Sequence, residues 1–452
     1  MRDYIDIDHK RVLIISHDKI GSSMAGPGIR YHYMAEVLSK DFDVTIGFFD
    51  PSYLPDNELE RHYKTKHIDA VRFEDGFKNQ DIVIALWLSQ QMIDYCNNNN
   101  IFTVFDLYAP VPVENLVGFI YGKGSIKSDD DFEFARSLRM YRLFFENGDL
   151  FLCSNRRQLD YWTGFVFGAD QIRPSTYNTR PIYNRFIYSP MGIDTQKPLK
   201  HDKQVMKGVV PGINKKDKVI LWTGGIWEHF DAQILVKAMS HLTSTRPDIK
   251  LVFFGTKHPN PSVPNMLETS KTRKLAAKHG LLNKSIFFKE GWVNYTERLD
   301  YLLEADIAIS THKESIEAEF SHRTRLLDHL LAFLPTITTA GDYFSDDVIA
   351  KYNLGIVVPP NNELALEKAI LDILEPETYK AIKKNIELVR KGFDWSETLS
   401  PLTNRLLSNI ERLPKTKQEQ RTNRDNNAVL LAKRILPVPV KKILIRALRL
   451  TS

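Results

Sequence analysis

A chain of 452 residues, 43% hydrophobic and 26% charged, is too long for one ordinary core and has the composition of a globular protein of roughly two to three domains. Its net charge of +5 is uneven: residues 415–452 hold ten Lys or Arg against Glu419 and Asp425, a net +8, leaving −3 for the remainder, which argues against a general nucleic-acid binder. Cys96 and Cys153 have no metal-type spacing, the first residues hold no apolar signal core, and no apolar run reaches about eighteen residues, so a reducing, cytosolic setting with no structural zinc and no membrane span is expected.

Residues 11–16 (RVLIIS) predict a buried strand. A loop with Gly26, Pro27 and Gly28 follows, then a helix with Arg30 at its start, and a second strand over 42–49. This βαβ opening favours a parallel sheet. GPGIRY has no third glycine, so it is not the dinucleotide fingerprint, and a tight turn explains its glycines as well as a ligand does. Further strands are predicted at 81–86, 101–107, 149–153 and 186–189. Asp106 closes one of them and the loop after it carries Glu114, so both carboxylates fall at the ligand-binding ends of the sheet. The plainer alternative has Asp106 capping a turn and Glu114 beginning a helix. The acidic run Asp129, Asp130, Asp131 is expected in a solvated loop.

The polar, Lys-rich stretch 195–216 is expected to be a linker, after which the pattern restarts. Strands are predicted at 218–222, 251–254, 286–288, 306–310, 336–339 and 355–358, alternating with helices such as 232–242 and 363–374. Two α/β units of similar size place a cleft between two sheets. The stretch 308–342 organises the second unit as strand, acidic loop, helix, strand and a Gly-Asp turn. Ser321 is expected to cap a helix whose first turn holds His322, Arg323 and Thr324, with Leu326, Leu327, Leu330 and Leu331 on its core face and Pro335 ending it. Free N–H groups together with Arg323 and Arg325 favour an anion there, and Asp328 one turn on suits sugar hydroxyls, which together describe a nucleoside diphosphate. A surface helix with an Arg325–Asp328 ion pair is the plainer alternative.

Ordered along the chain, AGPGIR, DLYAPVPVEN and FLCSNRRQLDYWTG, then LWTGGIW, FFGTKHPNP, EGWVNY, LEADIAISTH, EFSHRTRLLDHLLAFLPTITTAGD and LGIVVPP resemble a GT-B glycosyltransferase of glycosyltransferase family 4 over about residues 11–412. The resemblance implies two Rossmann-like parallel-sheet domains facing across a cleft, and retaining transfer from a nucleotide-sugar donor without a metal. It divides the chain into an acceptor domain over 1–200, a donor domain over 201–395, a helix over 396–413 crossing back to the first domain, and the tail 414–452. It also implies a glycan or lipid-linked acceptor, in surface polysaccharide or glycoconjugate synthesis.

The family usually carries two glutamates eight positions apart, the first on the donor sugar and the second on the ribose. Here Asp328 takes the second place, and Phe320 stands where the first belongs, so that role shifts to Glu317 or Glu319. The Arg and Lys that commonly follow the glycine loop are also missing, since the loop continues Trp227, Glu228, His229, Phe230, Asp231. Diphosphate binding therefore falls to the backbone at Gly224 and Gly225, to the start of the Arg323, Thr324, Arg325 helix, and to Lys257; Gly26, Gly28 and Arg30 form the facing loop. In retention the departing phosphate itself can take the acceptor proton, which leaves Asp106 and Glu114 as candidate bases only. A GT-B sugar-nucleotide epimerase and a non-catalytic nucleotide-sugar-binding partner are the rival readings. Past a polar spacer, residues 428–450 (AVLLAKRILPVPVKKILIRALRL) read as a basic amphipathic segment, expected to hold the protein at the inner face of the plasma membrane on anionic lipid.

Overall fold

The computed structural model describes residues 10–55, 59–122, 126–169, 171–172, 174, 177–178, 182–258 and 266–408. Seven strands, β1 (Arg11–Ser16), β2 (Asp43–Phe48), β3 (Lys64–His67), β4 (Ile82–Ala85), β5 (Phe102–Asp106), β6 (Leu150–Cys153) and β7 (Phe186–Tyr188), form one sheet in the order β3-β2-β1-β4-β5-β6-β7. Six more, β8 (Lys218–Trp222), β9 (Ile249–Phe253), β10 (Ile286–Phe288), β11 (Ile307–Ser310), β12 (Thr336–Thr339) and β13 (Gly355–Val358), form a second in the order β10-β9-β8-β11-β12-β13. Every neighbouring pair is parallel.

Parallel strands are covered by helices on both faces, so their sequences must be apolar throughout. In β1, Val12 and Ile14 enter one core layer while Leu13 and Ile15 enter the other, and all four are fully buried. In each sheet the strand order reverses beside the first strand of the unit: Val12 of β1 lies opposite Ile82 of β4, and Ile220 of β8 opposite Ile307 of β11. The crevices outside the carboxyl ends of these strands are where such sheets receive ligands.

Several expectations are corrected. The helix after β1 begins at Gly26, so Gly26, Pro27 and Gly28 form its first turn rather than a loop. The acidic run Asp129 to Asp131 is the first turn of the helix Ser128–Asn147, where Asp130 accepts the Lys127 N–H at 2.9 Å; carboxylates there complement the helix dipole. Between β7 and β8 the chain has no regular strand or helix, yet it is no free linker. Glu304 accepts the N–H groups of Val205 (2.5 Å), Met206 (2.9 Å) and Lys207 (2.8 Å), and Met206 and Ile213 are buried.

The chain then returns to the first sheet. Asp394 bridges Ile193, and the helix Trp395–Leu407 packs against the helix Gly26–Leu38 and against β7. The polar spacer and the basic segment 428–450 lie outside the described residues. No described helix is long and apolar enough to cross a membrane.

Candidate functional site

A cavity of about 720 Å³ lies between the carboxyl ends of the two sheets. From the first unit it is lined by His17 and Asp18 after β1, Gly26 and Tyr31 of the next helix, and Tyr108 and Glu114 after β5. The second unit contributes Gly224, Gly225 and Trp227 to Phe230 after β8, Trp292, Tyr295 and Arg298 after β10, and Glu317 with Ser321 to Arg325 and Asp328 after β11.

The stretch after β11 folds differently from the expectation. Ser315 caps a short helix, Ile316–Phe320, by accepting the Ala318 N–H at 3.2 Å. Ser321 is the C-cap of that helix, extended at φ −71° and ψ 151°, and does not start the next one. Arg325–Leu331 is the following helix, with Thr324 as its N-cap. His322 and Arg323 thus lie in an extended connection rather than in the first turn of that helix. Phe333 at φ +56° turns the chain toward Pro335 and β12.

The two arginines have separate jobs. Arg323 donates both terminal nitrogens to Glu317, at 2.8 and 2.9 Å, and the Ser321 hydroxyl also donates to that carboxylate. Both members of this pair are almost wholly buried. Burial works against the Glu317 charge, but Arg323, His229 and the hydroxyl hold its carboxyl down to about 2. Arg325 instead reaches the glycine turn. Its Nη2 donates to the Gly225 carbonyl at 2.7 Å, and its guanidinium lies 3.8 Å above the Phe230 ring, a cation–π shelf that fixes the planar group. Its Nη1 is buried with no protein partner, and burial together with neighbouring Arg323 pulls its pKa down to about 9. An anion beside it would remove both penalties.

Gly224 adopts φ +76°, open to glycine at little cost, and a Cβ there would meet the Arg325 guanidinium at 3.7 Å. Asp328 pairs with Arg298 at 2.9 Å, not with Arg325. On the facing wall, Glu114 sits in the first turn of the helix Val111–Gly122. Burial and the nearby Glu317, opposed by Arg323, push its carboxyl up to about 7. Around the glycine turn, His258 lies between Trp227 (5.9 Å) and Trp292 (5.5 Å), an aromatic group at one end of the cavity.

Of the residues predicted from sequence, the cavity brings together Gly26, Glu114, Gly224, Gly225, Glu317, Arg323, Thr324, Arg325 and Asp328. Asp106 and Arg30 are not among them. They form a bidentate pair, both bonds 2.6 Å, with neither side chain exposed, so Asp106 is spent on holding a buried guanidinium under the site. Gly28 also lies below the surface, where a Cβ would come within 2.2 Å of the Lys19 carbonyl oxygen; its glycine is a packing requirement. Glu319 and Lys257 are exposed and outside the cavity. Sequence reasoning missed Arg298, Tyr295, His229 and His322. The only signal for Arg298 is a helix-starting basic residue after EGWVNY, which many surface helices share. Among the described residues no group of three or more His, Cys, Asp or Glu side chains is arranged to hold a metal ion.

Residues 209–389 match the family model described as "Glycosyl transferases group 1". No curated protein matches the chain. Among solved structures, the sucrose-phosphate synthase of Thermosynechococcus elongatus is 16% identical at a TM-score of 0.60, covering 89% of this chain and 100% of its own. HepE from Anabaena, solved with UDP and glucose, is 12% identical at a TM-score of 0.61 and covers 88% and 100%. WaaG, a glycosyltransferase involved in lipopolysaccharide biosynthesis, is 15% identical at 0.59 and also covers 88% and 100%. These likenesses establish the fold as GT-B, with a glycosyl transferases group 1 domain built on the second sheet.

Proposed function

We propose that this chain transfers a sugar, with retention and without a metal, from a nucleoside diphosphate donor held by 201–395 to a glycan or lipid-linked acceptor that approaches along 1–200. One observation carries the reading: the glycine turn after β8 and the Phe230-backed Arg325 converge on one spot, and Arg325 keeps a buried nitrogen without a partner. A fixed cation in a water-poor cleft stabilises charge that develops on a leaving diphosphate far better than a mobile surface lysine does. Arg325 thereby takes the place of the missing loop cations. Asp328 receives the ribose hydroxyls, and Glu317, held ionised and aimed by Arg323, meets the transferring sugar.

In the reaction the bond from the anomeric carbon to the diphosphate oxygen breaks, and a bond from that carbon to the acceptor oxygen forms on the same face. The acceptor proton passes to the departing phosphate oxygen, and the nucleoside diphosphate leaves. Glu114, close to half protonated at neutral pH, sits where it can hydrogen-bond the acceptor or the sugar in either state. One solved structure of similar fold, HepE, is in complex with UDP and glucose, which makes UDP the first nucleotide to try.

Thermal-shift titration with UDP, GDP, ADP and dTDP, with and without EDTA, tests the donor half, since a ligand stabilises the folded state by mass action. The expected result is one nucleotide standing out, with EDTA causing no loss, followed by sugar transfer from the matching donor to cell-derived acceptor. No shift with any nucleotide would overturn the reading, and turnover lost in EDTA and restored by manganese would overturn its metal-free part. The basic segment 428–450 is proposed to hold the protein on anionic membrane. Truncation after Leu413 should leave folded protein that binds nucleotide but no longer sediments with phosphatidylserine-containing liposomes; undiminished sedimentation would remove the segment from that role.

A further inference from the structure

Asp328 stands on the helix Arg325–Leu331, while its partner Arg298 opens a separate helix, Arg298–Glu304. The pair is 2.9 Å long and mostly buried, with side chains 16% and 21% exposed. Its closest approach runs from Arg298 Nη1 to Asp328 Oδ1. Asp328, Arg298 and Tyr295 all line the same cavity. Arg298 is itself held from behind: its guanidinium lies 4.0 Å over the Tyr295 ring. The Tyr295 hydroxyl donates to the Tyr33 hydroxyl of the first unit at 2.8 Å, and Tyr33 donates to Asp194 at 3.2 Å. The Tyr33 ring also stacks on Trp395 at 5.1 Å and 6°. A carboxylate anchored to an immobilised guanidinium is held in a fixed direction.

We infer that Arg298 is the positioning residue that aims Asp328 at the ribose hydroxyls, and so makes the site choose ribonucleotides over deoxyribonucleotides. The inference rests on the donor reading above and deepens it. A hydroxyl-reading site discriminates strongly because its polar group loses a partner when the hydroxyl is missing. Discrimination needs the acceptor oxygen in place and ionised. Burial raises the Asp328 carboxyl, and Arg298, then Arg325 on its own helix, oppose that rise. Tyr295, Tyr33 and Asp194 are the other titratable groups, facing Arg298 from the loop after β10, the Gly26–Leu38 helix and the segment after β7. Without Arg298, Asp328 would swing free and hold its proton to higher pH.

The test compares the tightest-binding of UDP, GDP and ADP with its 2′,3′-dideoxy form by calorimetric titration, on full-length wild type, Arg298→Met and Arg298→Lys. Wild type should prefer the ribose form by about tenfold or more. Arg298→Met should lose most of that preference at pH 7 and recover part of it as pH rises, with the dideoxy form bound nearly as before. Arg298→Lys, which keeps the charge and loses the planar fork, should fall between, and it decides the matter alone if the methionine variant does not fold. If wild type binds no nucleotide, the donor reading itself fails. If wild type binds both forms equally, Asp328 does not read the ribose. An unchanged preference in both variants, or equal loss of both nucleotide forms, would show that Arg298 only neutralises a buried acid.

Discussion

At the scale of single residues, the two arginines two positions apart in EFSHRTRLL separate sharply. Arg323→Ala would strand Glu317 in a buried site, a change that typically costs about 3–5 kcal/mol, so the variant should melt at a much lower temperature. Arg325→Ala removes a guanidinium held by one backbone carbonyl and an aromatic face, so it should keep its fold and bind nucleoside diphosphate about 10–100-fold more weakly. Calorimetry and melting together read both effects, and equal melting losses in the two variants would contradict the division. The sequence showed which residue types gather here, but not which arginine is free, because pairing depends on the extended turn at Ser321, set by tertiary contacts. The same limit explains Asp106: at a strand end it looks catalytic, and only the fold shows Arg30 beneath it. Glu114 allows a prediction with a definite sign. Its folded pKa of about 7 lies above the ordinary carboxyl value, so the folded state holds a proton that the unfolded state gives up. Its contribution to stability therefore falls as pH rises from the unfolded value, about 4.3, to about 7, and is level above that. Glu114→Gln should gain stability relative to wild type across that window, measured as the difference in denaturation midpoint at pH 4.5 and 8. A difference that stays constant would place Glu114 in an ordinary solvated setting.

Among the elements, the strands were legible because parallel sheets favour nearly continuous runs of apolar or β-branched residues, and twelve of the thirteen show one. The exception is β3, Lys64–His67, sequence KTKH. It pairs with β2 alone at the sheet edge, and Lys64 reaches Asp43 at 2.7 Å, so no core packing wrote itself into its residues. A charged edge strand also blocks further pairing. Composition misled the reading of 195–216, where lysines suggested a free spacer. Two carboxylates of the helix Arg298–Glu304 organise it: Glu304 gathers the N–H groups of Val205, Met206 and Lys207, and Asp300 those of Asp202 and Lys203, an arrangement with no sequence period to reveal it. Glu304→Ala should release this segment, leave three buried or half-buried donors without their acceptor, and lower stability by about 1–3 kcal/mol. Limited trypsin digestion should then cut at Lys203 or Lys207 well before the rest of the body. Wild-type resistance in the variant would mean that Asp300, Met206 and Ile213, not Glu304, hold the segment.

Across the whole molecule, the cleft is bridged at both edges by a few hydrogen bonds and partly exposed ion pairs. On one edge the Tyr295 N–H donates to the Ser22 carbonyl at 2.7 Å, and the Ser23 hydroxyl meets Asn294 at 3.2 Å. On the other, Arg157 donates to the Gly341 carbonyl (3.0 Å), Asp346 (3.0 Å) and Asp347 (3.2 Å), while Gln158 donates to the Phe320 carbonyl at 3.0 Å. Arg157 is carried on the helix Arg156–Gly168, whose N-cap Asn155 accepts the Gln158 N–H at 2.9 Å, so one cap places both bridging side chains. The Arg157 side chain is 29% exposed and its carboxylate partners 34% and 50%, which keeps each ion pair within about 1 kcal/mol. On the proposed donor reading a nucleotide enters and leaves and water is excluded between those events, so closing contacts of this size would suit turnover better than a buried lock. Arg157→Ala removes both pairs and should shift the free protein toward a wider cleft by up to about thirtyfold in population, seen as a larger radius of gyration in solution scattering. Nucleotide should dissociate faster from the variant by a similar factor, while the melting temperature stays near that of wild type. High salt should reproduce part of the widening in the wild type, because these charges face solvent. An unaltered radius and dissociation rate would leave closure to the Ser22–Tyr295 edge and the crossing helix alone.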